Sequence, residues 1–358
     1  MTQLRTVQVL GGGSAGSSAH VRSLAAGLVA RGVRVTVCAP AELDREYDYL
    51  ACGAHFVPVP RRSDPLSVGM LRAACAGADV VHAHGLHAAV RASLALSGQD
   101  VPLVVTWHTR VHGEGARGHV LRLVERRAVR TAAVVFATCS DLVDRARERG
   151  ARDARLAPLA TPRGCAPFGL PGKKRADLGV VERPLLIAVG SLDEHRGYGV
   201  LLDAALQWRA LDPAPLLMIA GEGPQRAALQ RRIDDEDLPV RLLGHRDDAA
   251  ELLAAADLAV LPSRWEARSV LAQEALRMGV PLVATAVGGM PELVGEAAVL
   301  VPYGDAGALA SAVTALLADP SRREDLARAG RAQADTWPSE DDTIAQALSV
   351  YDEVAGGG

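Results

Sequence analysis

The chain has 358 residues, enough for two domains with well-buried cores. Hydrophobic residues make up 49% and aromatic residues only 3%, so Ala, Val and Leu must build the core, which favours helices packed closely on sheets over aromatic binding platforms. The net charge of −3 argues against a general nucleic-acid binder. Cys38, Cys52, Cys75, Cys139 and Cys165 are odd in number, widely spaced and without C-x-x-C, and read as reduced thiols of a cytoplasmic protein. The N-terminus does not read as a signal peptide, and no apolar run approaches the roughly 20 residues of a membrane span.

Thr6–Leu10 is predicted as a strand. A glycine-rich loop follows from Gly11. A helix then runs to Arg31, with Val21, Leu24, Ala25, Leu28 and Val29 at helical spacing. Gly32 stops it, and Val33–Ala39 is the next strand. This is a βαβ unit with its glycine loop at the carboxyl edge of the first strand, where open α/β sheets bind ligands. Gly11, Gly13 and Gly16 satisfy Gly-x-Gly-x-x-Gly, but the acidic residue that a dinucleotide site needs after the second strand is missing, since Cys38-Ala39-Pro40 stands there.

Ala54–Val59 and Asp79–Ala83 are further strands, the latter leading into His82, His84 and His87. Metal binding, pocket lining and simple packing are all open readings of these histidines. No carboxylate or cysteine lies near to complete a metal shell. Pro102–Trp107 is a strand with His108 at its tip, where an imidazole can bond a hydroxyl or handle a proton near neutral pH. Gly118–Arg130 reads as a basic amphipathic helix. Val120, Leu123, Val124 and Ala128 form its apolar side, and Arg122, Arg126 and Arg130 an opposite stripe. It is either a solvated face or a surface for anionic lipid or an anionic acceptor. Ala132–Thr138 is a buried strand and Cys139–Gly150 a helix. From Pro158 to Pro184, proline and glycine punctuate a stretch without periodicity, read as a linker.

The second half again alternates strand and helix. Leu185–Val189 precedes Gly190 and the helix Tyr198–Ala210; Pro215–Ala220 precedes Gly221-Glu222-Gly223-Pro224; Val240–Leu243 precedes Gly244-His245-Arg246. The acidic run Asp234–Asp237 reads as a solvated helix end, although Asp235-x-Asp237 has the form of a metal-binding pair. The strand Asp257–Leu261 leads through a polar loop into the helix Val270–Met278 and back into Pro281–Ala284. With Glu266 in the loop and Glu274 in the helix, both carboxylates can face a pocket at the helix's start. The free N–H groups there suit a diphosphate. An ordinary βαβ unit with two surface glutamates is the other reading.

Pro262-Ser263, Glu266, Glu274 and Gly288-Gly289-Met290-Pro291-Glu292 resemble the E-x7-E signature of glycosyltransferase family 4. Similar features run along nearly the whole chain. Gly16 before His20-Val21 resembles that family's glycine loop. Val105–Thr109 resembles the segment whose His reaches the donor sugar, and the His82–His84 strand end resembles a pocket-lining segment. Gly190–Gly197 resembles Val-Gly-Arg-Leu-x-x-x-Lys-Gly, with Arg196 at the Lys position and Ser191 departing from Arg. Arg268 is the candidate substitute for the missing cation.

The resemblance implies an α/β, GT-B architecture: two Rossmann-like, doubly wound parallel-sheet domains facing a central cleft. The implied boundaries are residues 1–160 on the acceptor side, a linker at 161–183 and a donor-binding domain at 184–336, with a last helix at 337–354 crossing back. It implies retaining transfer from a nucleotide-diphosphate sugar to an acceptor hydroxyl of a sugar, lipid-linked sugar or small molecule, without metal or other cofactor and without nucleic acid. The expected catalytic residues are Glu266 and His108. Gly13, Gly16, Gly190, Arg196, Gly221, Arg268, Ser269, Val270, Leu271 and Glu274 are expected at the donor, and His20 and His84 in the acceptor-side pocket. The expected location is cytoplasmic, with contact at the inner membrane face open to the Gly118–Arg130 helix. The Ser191 departure keeps open a catalytically silent binder of the same fold, and a sugar-nucleotide epimerase is a further alternative. A phosphorylase is disfavoured, because the only lysines, Lys173 and Lys174, lie in the linker.

Overall fold

The computed structural model describes residues 3–11, 15–61, 64–110, 115–160, 171–180 and 182–356. It divides into two compact units, residues 1–162 with 338–358, and residues 163–337.

The first unit holds β1 (Arg5–Leu10), β2 (Arg34–Ala39), β3 (His55–Pro58), β4 (Val80–His84), β5 (Leu103–Trp107), β6 (Val134–Ala137) and β7 (Ala154–Leu156). They form one parallel sheet in the order β3-β2-β1-β4-β5-β6-β7. The direction of winding reverses between β1 and β4. The second unit holds β8 (Leu185–Val189), β9 (Leu216–Ala220), β10 (Val240–Gly244), β11 (Leu258–Leu261), β12 (Leu282–Thr285) and β13 (Val299–Val301). Their order is β10-β9-β8-β11-β12-β13, again parallel, with the reversal between β8 and β11.

Both sheets are covered on two faces, which is why their central strands read as unbroken apolar runs. Leu186 and Ala188 of β8 enter one core with Trp208 and Val313, while Leu185 and Ile187 enter another with Leu271 and Leu276. In the first unit one sheet face is covered by the helices Ala15–Ala30 and Glu340–Gly356. Leu24, Leu28, Ile344, Ala347, Val350 and Tyr351 join Leu10, Val80 and Val104 there.

Three expectations need correction. The last helix does not begin at Trp337. Its first residue is Glu340, and Trp337 stays with the second unit, its indole N–H donating to Leu293 O at 3.1 Å. Within the stretch read as a linker, residues 161–170 lie outside the described residues, but Pro171–Asp177 is a short helix. Arg175 pins it by bonds to Ala255 O (2.9 Å), Asp257 (3.0 Å) and Arg183 O (2.8 Å). Tertiary ion pairs of this kind leave no periodic trace in a sequence. The helix Gly115–Thr131 buries only part of the stripe assigned to it: Ala128 is buried and Val124 half-buried, but Val120 and Leu123 are 59% and 64% exposed, while Glu125 and Val129 face inward beside Ala128. Glu125 is held by Arg145 at 2.8 Å and Arg149 at 2.9 Å, a pairing across helices that periodicity cannot show.

Cys38, Cys75 and Cys139 are buried, Cys52 is half-buried, and none of the four is joined in a disulfide among the described residues. Cys165 lies outside the described residues. No helix among the described residues is long and apolar enough to cross a membrane.

The last helix meets the first at Gly27, where an added Cβ would lie 2.1 Å from Ile344 Cδ1. Overpacking of this kind costs about 1–3 kcal/mol. Gly27→Ala should therefore lower the urea midpoint in spite of alanine's better helix propensity. The same change should cost clearly less in an Ile344→Ala background, giving a non-additive double-mutant cycle.

Candidate active site

Most of the described residues singled out from the sequence lie at or just beyond the carboxyl ends of strands, at or near the reversal in each sheet. In the second unit, three neighbouring strand ends carry the glycine turns. Gly190 N donates to Ala220 O at 3.0 Å, and Gly221 N donates to Gly244 O at 2.8 Å. Leu192 N bonds Glu222 O at 2.8 Å, tying the first turn to the second. Arg196 closes a single helical turn, Glu194–Arg196, directly before the helix Tyr198–Trp208.

The Arg196 guanidinium is paired with the Glu266 carboxylate, which also accepts from Ser263 Oγ at 2.8 Å. Both side chains are mostly withdrawn from solvent, at 28% and 12% exposure, so the pair is screened less than a surface pair would be. The loop that carries Glu266 is fixed from three sides. Thr285 Oγ1 donates to Ser263 O at 2.6 Å, Arg264 N donates to His195 O at 2.8 Å, and Gly289 N donates to Glu266 O at 2.8 Å. At Gly288, with φ +53°, a Cβ would sit 2.2 Å from Glu266 O, so only glycine lets this chain pass so close. Tyr198 completes the group, its hydroxyl donating to Gly190 O at 3.2 Å. Burial pushes that phenol up to about 12; Arg196 pulls it down, and Glu266 and Asp193 add to the rise.

The helix Val270–Met278 starts beside this loop. Ser269 is its N-cap and accepts from Ala272 N at 3.3 Å. A helix start leaves its first N–H groups without partners inside the helix, and here these belong to Val270 and Leu271. Val270 is 43% exposed and Leu271 nearly buried. Glu274 lies one turn further on and is half-buried. Burial raises its pKa, and Arg277 opposes the rise. The Arg268 guanidinium carbon lies 5.9 Å from the ring centre of Trp337, on whose ring Arg277 also sits at 5.4 Å. Ser191, where the cation was expected, is exposed. Asp235 and Asp237 are exposed at the end of a helix, and Arg246 is engaged by Asp248 at 2.6 Å.

In the first unit, His84 ends β4, His108 follows β5 and His20 comes from the helix Ala15–Ala30. Their ring centres form a triangle of 5.6, 5.9 and 6.0 Å. His82 lies 4.2 Å from His84. Among the described residues no group of three or more His, Cys, Asp or Glu side chains is placed to hold a metal ion. Gly16 is exposed in the first turn of the helix, and Gly13 lies outside the described residues. Sequence reasoning did not single out Tyr198, Thr285, Gln8, Thr106 or Tyr351. A Gln inside the apolar run of β1 is a legible signal, because a buried amide must find partners. Tyr351 gave none, since its spacing is that of a core position.

An α/β chain of two doubly wound parallel sheets, with its polar groups at the strand ends, is of the GT-B type. The solved structure of Anabaena HepE in complex with UDP and glucose matches it with a TM-score of 0.84 at 20% identity, over 98% of this chain and 100% of that one. The sequence profile described as Glycosyl transferase 4-like domain matches residues 15–161, and that described as Glycosyl transferases group 1 matches residues 183–319. The D-inositol 3-phosphate glycosyltransferase of Salinispora arenicola is 31% identical over 336 residues, covering 82% of this chain and 74% of that protein. The chain belongs to the group 1 glycosyltransferase family. The glycogen synthase of Mycobacterium tuberculosis (strain ATCC 25618 / H37Rv) is 33% identical over 71% of this chain, which spans 63% of that protein's length.

The four histidines make the first unit sensitive to acid. Burial lowers His20 to about 3, with His108 adding to the shift, and burial lowers His108 to about 4; His82 and His84 also lie well below the ordinary 6.5. Below pH 6.5 the unfolded chain takes up protons that the folded sites refuse. Stability is therefore complete above that value and is lost as pH falls toward 4, by up to about 1.4 kcal/mol per pH unit for each site. The urea midpoint should drop steeply from about pH 7 to about pH 5. A flat midpoint across that range would count against neutral imidazoles.

Proposed function

We propose that the chain is a retaining glycosyltransferase that moves a sugar from a nucleotide-diphosphate donor to an acceptor hydroxyl. The observation that carries this reading is the Arg196–Glu266–Ser263 group beside the open first turn of Val270–Met278. The second unit is read as the donor-binding domain. The amides at Ser269–Leu271 and the Arg196 guanidinium hold the diphosphate and stabilise it as it departs, without a metal. Glu274 accepts from ribose hydroxyls, and Glu266 from hydroxyls of the donor sugar. Gly190 and Gly221 bring backbone close to the nucleotide. His108, neutral by burial, offers a hydrogen bond to a sugar hydroxyl, and His20 and His84 line the acceptor side of the first unit. Same-face attack, with the leaving phosphate taking the acceptor's proton, accounts for retention.

The names of relatives and of the matched solved structure suggest UDP- and GDP-sugars as donors and a phosphorylated polyol among the acceptors to test. Glu266 neutralises Arg196, so a diphosphate on Arg196 competes with it. Glu266→Gln should therefore bind UDP or GDP more tightly in calorimetry while turning over more slowly. Arg196→Ala should lose both, with kcat down about a hundredfold or more. Activity should survive EDTA. Equal nucleotide affinity in the wild type and both variants would remove the pair from the site.

We also read the helix Gly115–Thr131 as a peripheral membrane contact. It exposes Val120 and Leu123 beside Arg122, Arg126, Arg127 and Arg130, which is the composition of an interfacial helix. The protein should sediment with vesicles containing phosphatidylserine and not with neutral ones. Leu123→Glu should release it without changing turnover of a soluble acceptor.

A further inference from the structure

The polar groups under the first unit's histidines form one connected chain. In register, Gln8 of β1 lies beside His82 of β4, and His84 lies beside Thr106 of β5, so all four share a sheet face. That face is the one covered by the last helix, which contributes Tyr351. Gln8 Nε2 donates to Tyr351 Oη at 3.2 Å. Tyr351 Oη lies 2.5 Å from His82 Nδ1, and His82 Nε2 lies 2.6 Å from Thr106 Oγ1. His84 Nε2 lies 2.9 Å from Gln8 Oε1.

With the Gln8 NH2 turned to Tyr351 and Thr6 and its oxygen to His84, the hydrogens of this chain run in one direction. One N–H of the Gln8 amide goes to the phenol oxygen, so the phenol proton goes to His82 Nδ1. His82 then carries its proton on Nε2 and donates to Thr106. The Gln8 carbonyl can only accept, so His84 must carry its proton on Nε2. A neutral imidazole has one protonated nitrogen, which leaves the His84 Nδ1 lone pair bare. That nitrogen is buried and has no hydrogen-bond partner among the described residues, and His108 Nε2, on the ring stacked 5.9 Å away, is in the same condition. An unspent acceptor in a buried site is costly unless something donates to it. Both rings stand at the carboxyl edge of the sheet, at β4 and β5, next to the winding reversal.

We infer that Gln8 and Tyr351 are positioning residues that hold His84 in its Nε2–H tautomer, so that His84 Nδ1 accepts a hydrogen bond from a substrate hydroxyl. The site's preference for a hydroxyl donor over a bare acceptor such as an ether or ester oxygen is set by a phenol on the last helix, two side chains away. The identity of the ligand as a sugar or polyol rests on the function proposed above; the tautomer does not.

The test is a long-range nitrogen–proton correlation spectrum of the full chain with 15N-labelled histidine, with His84 assigned by His84→Gln. Wild type should show His84 protonated on Nε2 and bare on Nδ1. Gln8→Leu and Tyr351→Phe should mix or reverse the tautomer. Gln8→Glu, which keeps an acceptor on His84 Nε2, should retain it. Steady-state kinetics with UDP-glucose and GDP-mannose, against glucose and inositol phosphate as acceptors, should show KM for one hydroxyl ligand raised about five- to tenfold in Gln8→Leu, with kcat little changed. A wild-type His84 protonated on Nδ1, or one whose tautomer is indifferent to Gln8→Leu and Tyr351→Phe in folded protein, overturns the inference. A chain that turns over none of these donors yet shows the predicted tautomers would count against the glycosyltransferase reading alone.

Discussion

A doubly wound parallel sheet sends consecutive loops to opposite faces only at one place, where the winding reverses. That constraint arranges the rest of this chain. At β1 and β4 the diverging loops begin with Gly11 and Gly85. At β8 and β11 they begin with Gly190 and Pro262. Residues far apart in sequence, such as Arg196 and Glu266, meet because they follow strands that flank the reversal. The arrangement needs no special strain. It needs short loops, glycine where backbones approach, and strands apolar enough to be buried on both faces.

The two units apply that geometry to opposite electrostatic ends. In the first, four imidazoles are packed in a mostly apolar face, and burial keeps them uncharged, since an imidazolium there would lose its hydration and sit beside other imidazoles. In the second, the charged groups come as a pair. Arg196 and Glu266 are held close, and Ser263 supplies a further hydrogen bond, so a largely shielded charge has a partner from the start. Neutral donors and acceptors suit a hydroxylated ligand, and a cation beside open amides suits a phosphate.

The last helix links these features to the fold of the first unit. It fills the sheet face with Ile344, Ala347 and Val350, which any amphipathic helix could do, but it also inserts the Tyr351 hydroxyl among the strand side chains. A buried phenol is tolerated only with partners for its oxygen, and Gln8 and His82 provide them. Packing and hydrogen-bond direction are thus set by the same element.

Periodicity placed nearly all the strands to within one or two residues, because a strand buried on both faces must be an apolar run bounded by turn residues. The Pro-Ser, Glu and Gly-Gly pattern between Pro262 and Glu292 marked the donor-side loop for a similar reason: local chain geometry and local chemistry coincide there. What the sequence left open was every pairing that closes through space. It did not show that Glu266 is met by Arg196, that Arg268 lies over Trp337, or that Val120 and Leu123 face outward while Glu125 is buried between two arginines. Nor did it show that Gln8, His82 and Tyr351 form one network. These depend on strand order and on which helix covers which face. Order and coverage are decided by the summed packing of the whole unit, so no single stretch of residues records them.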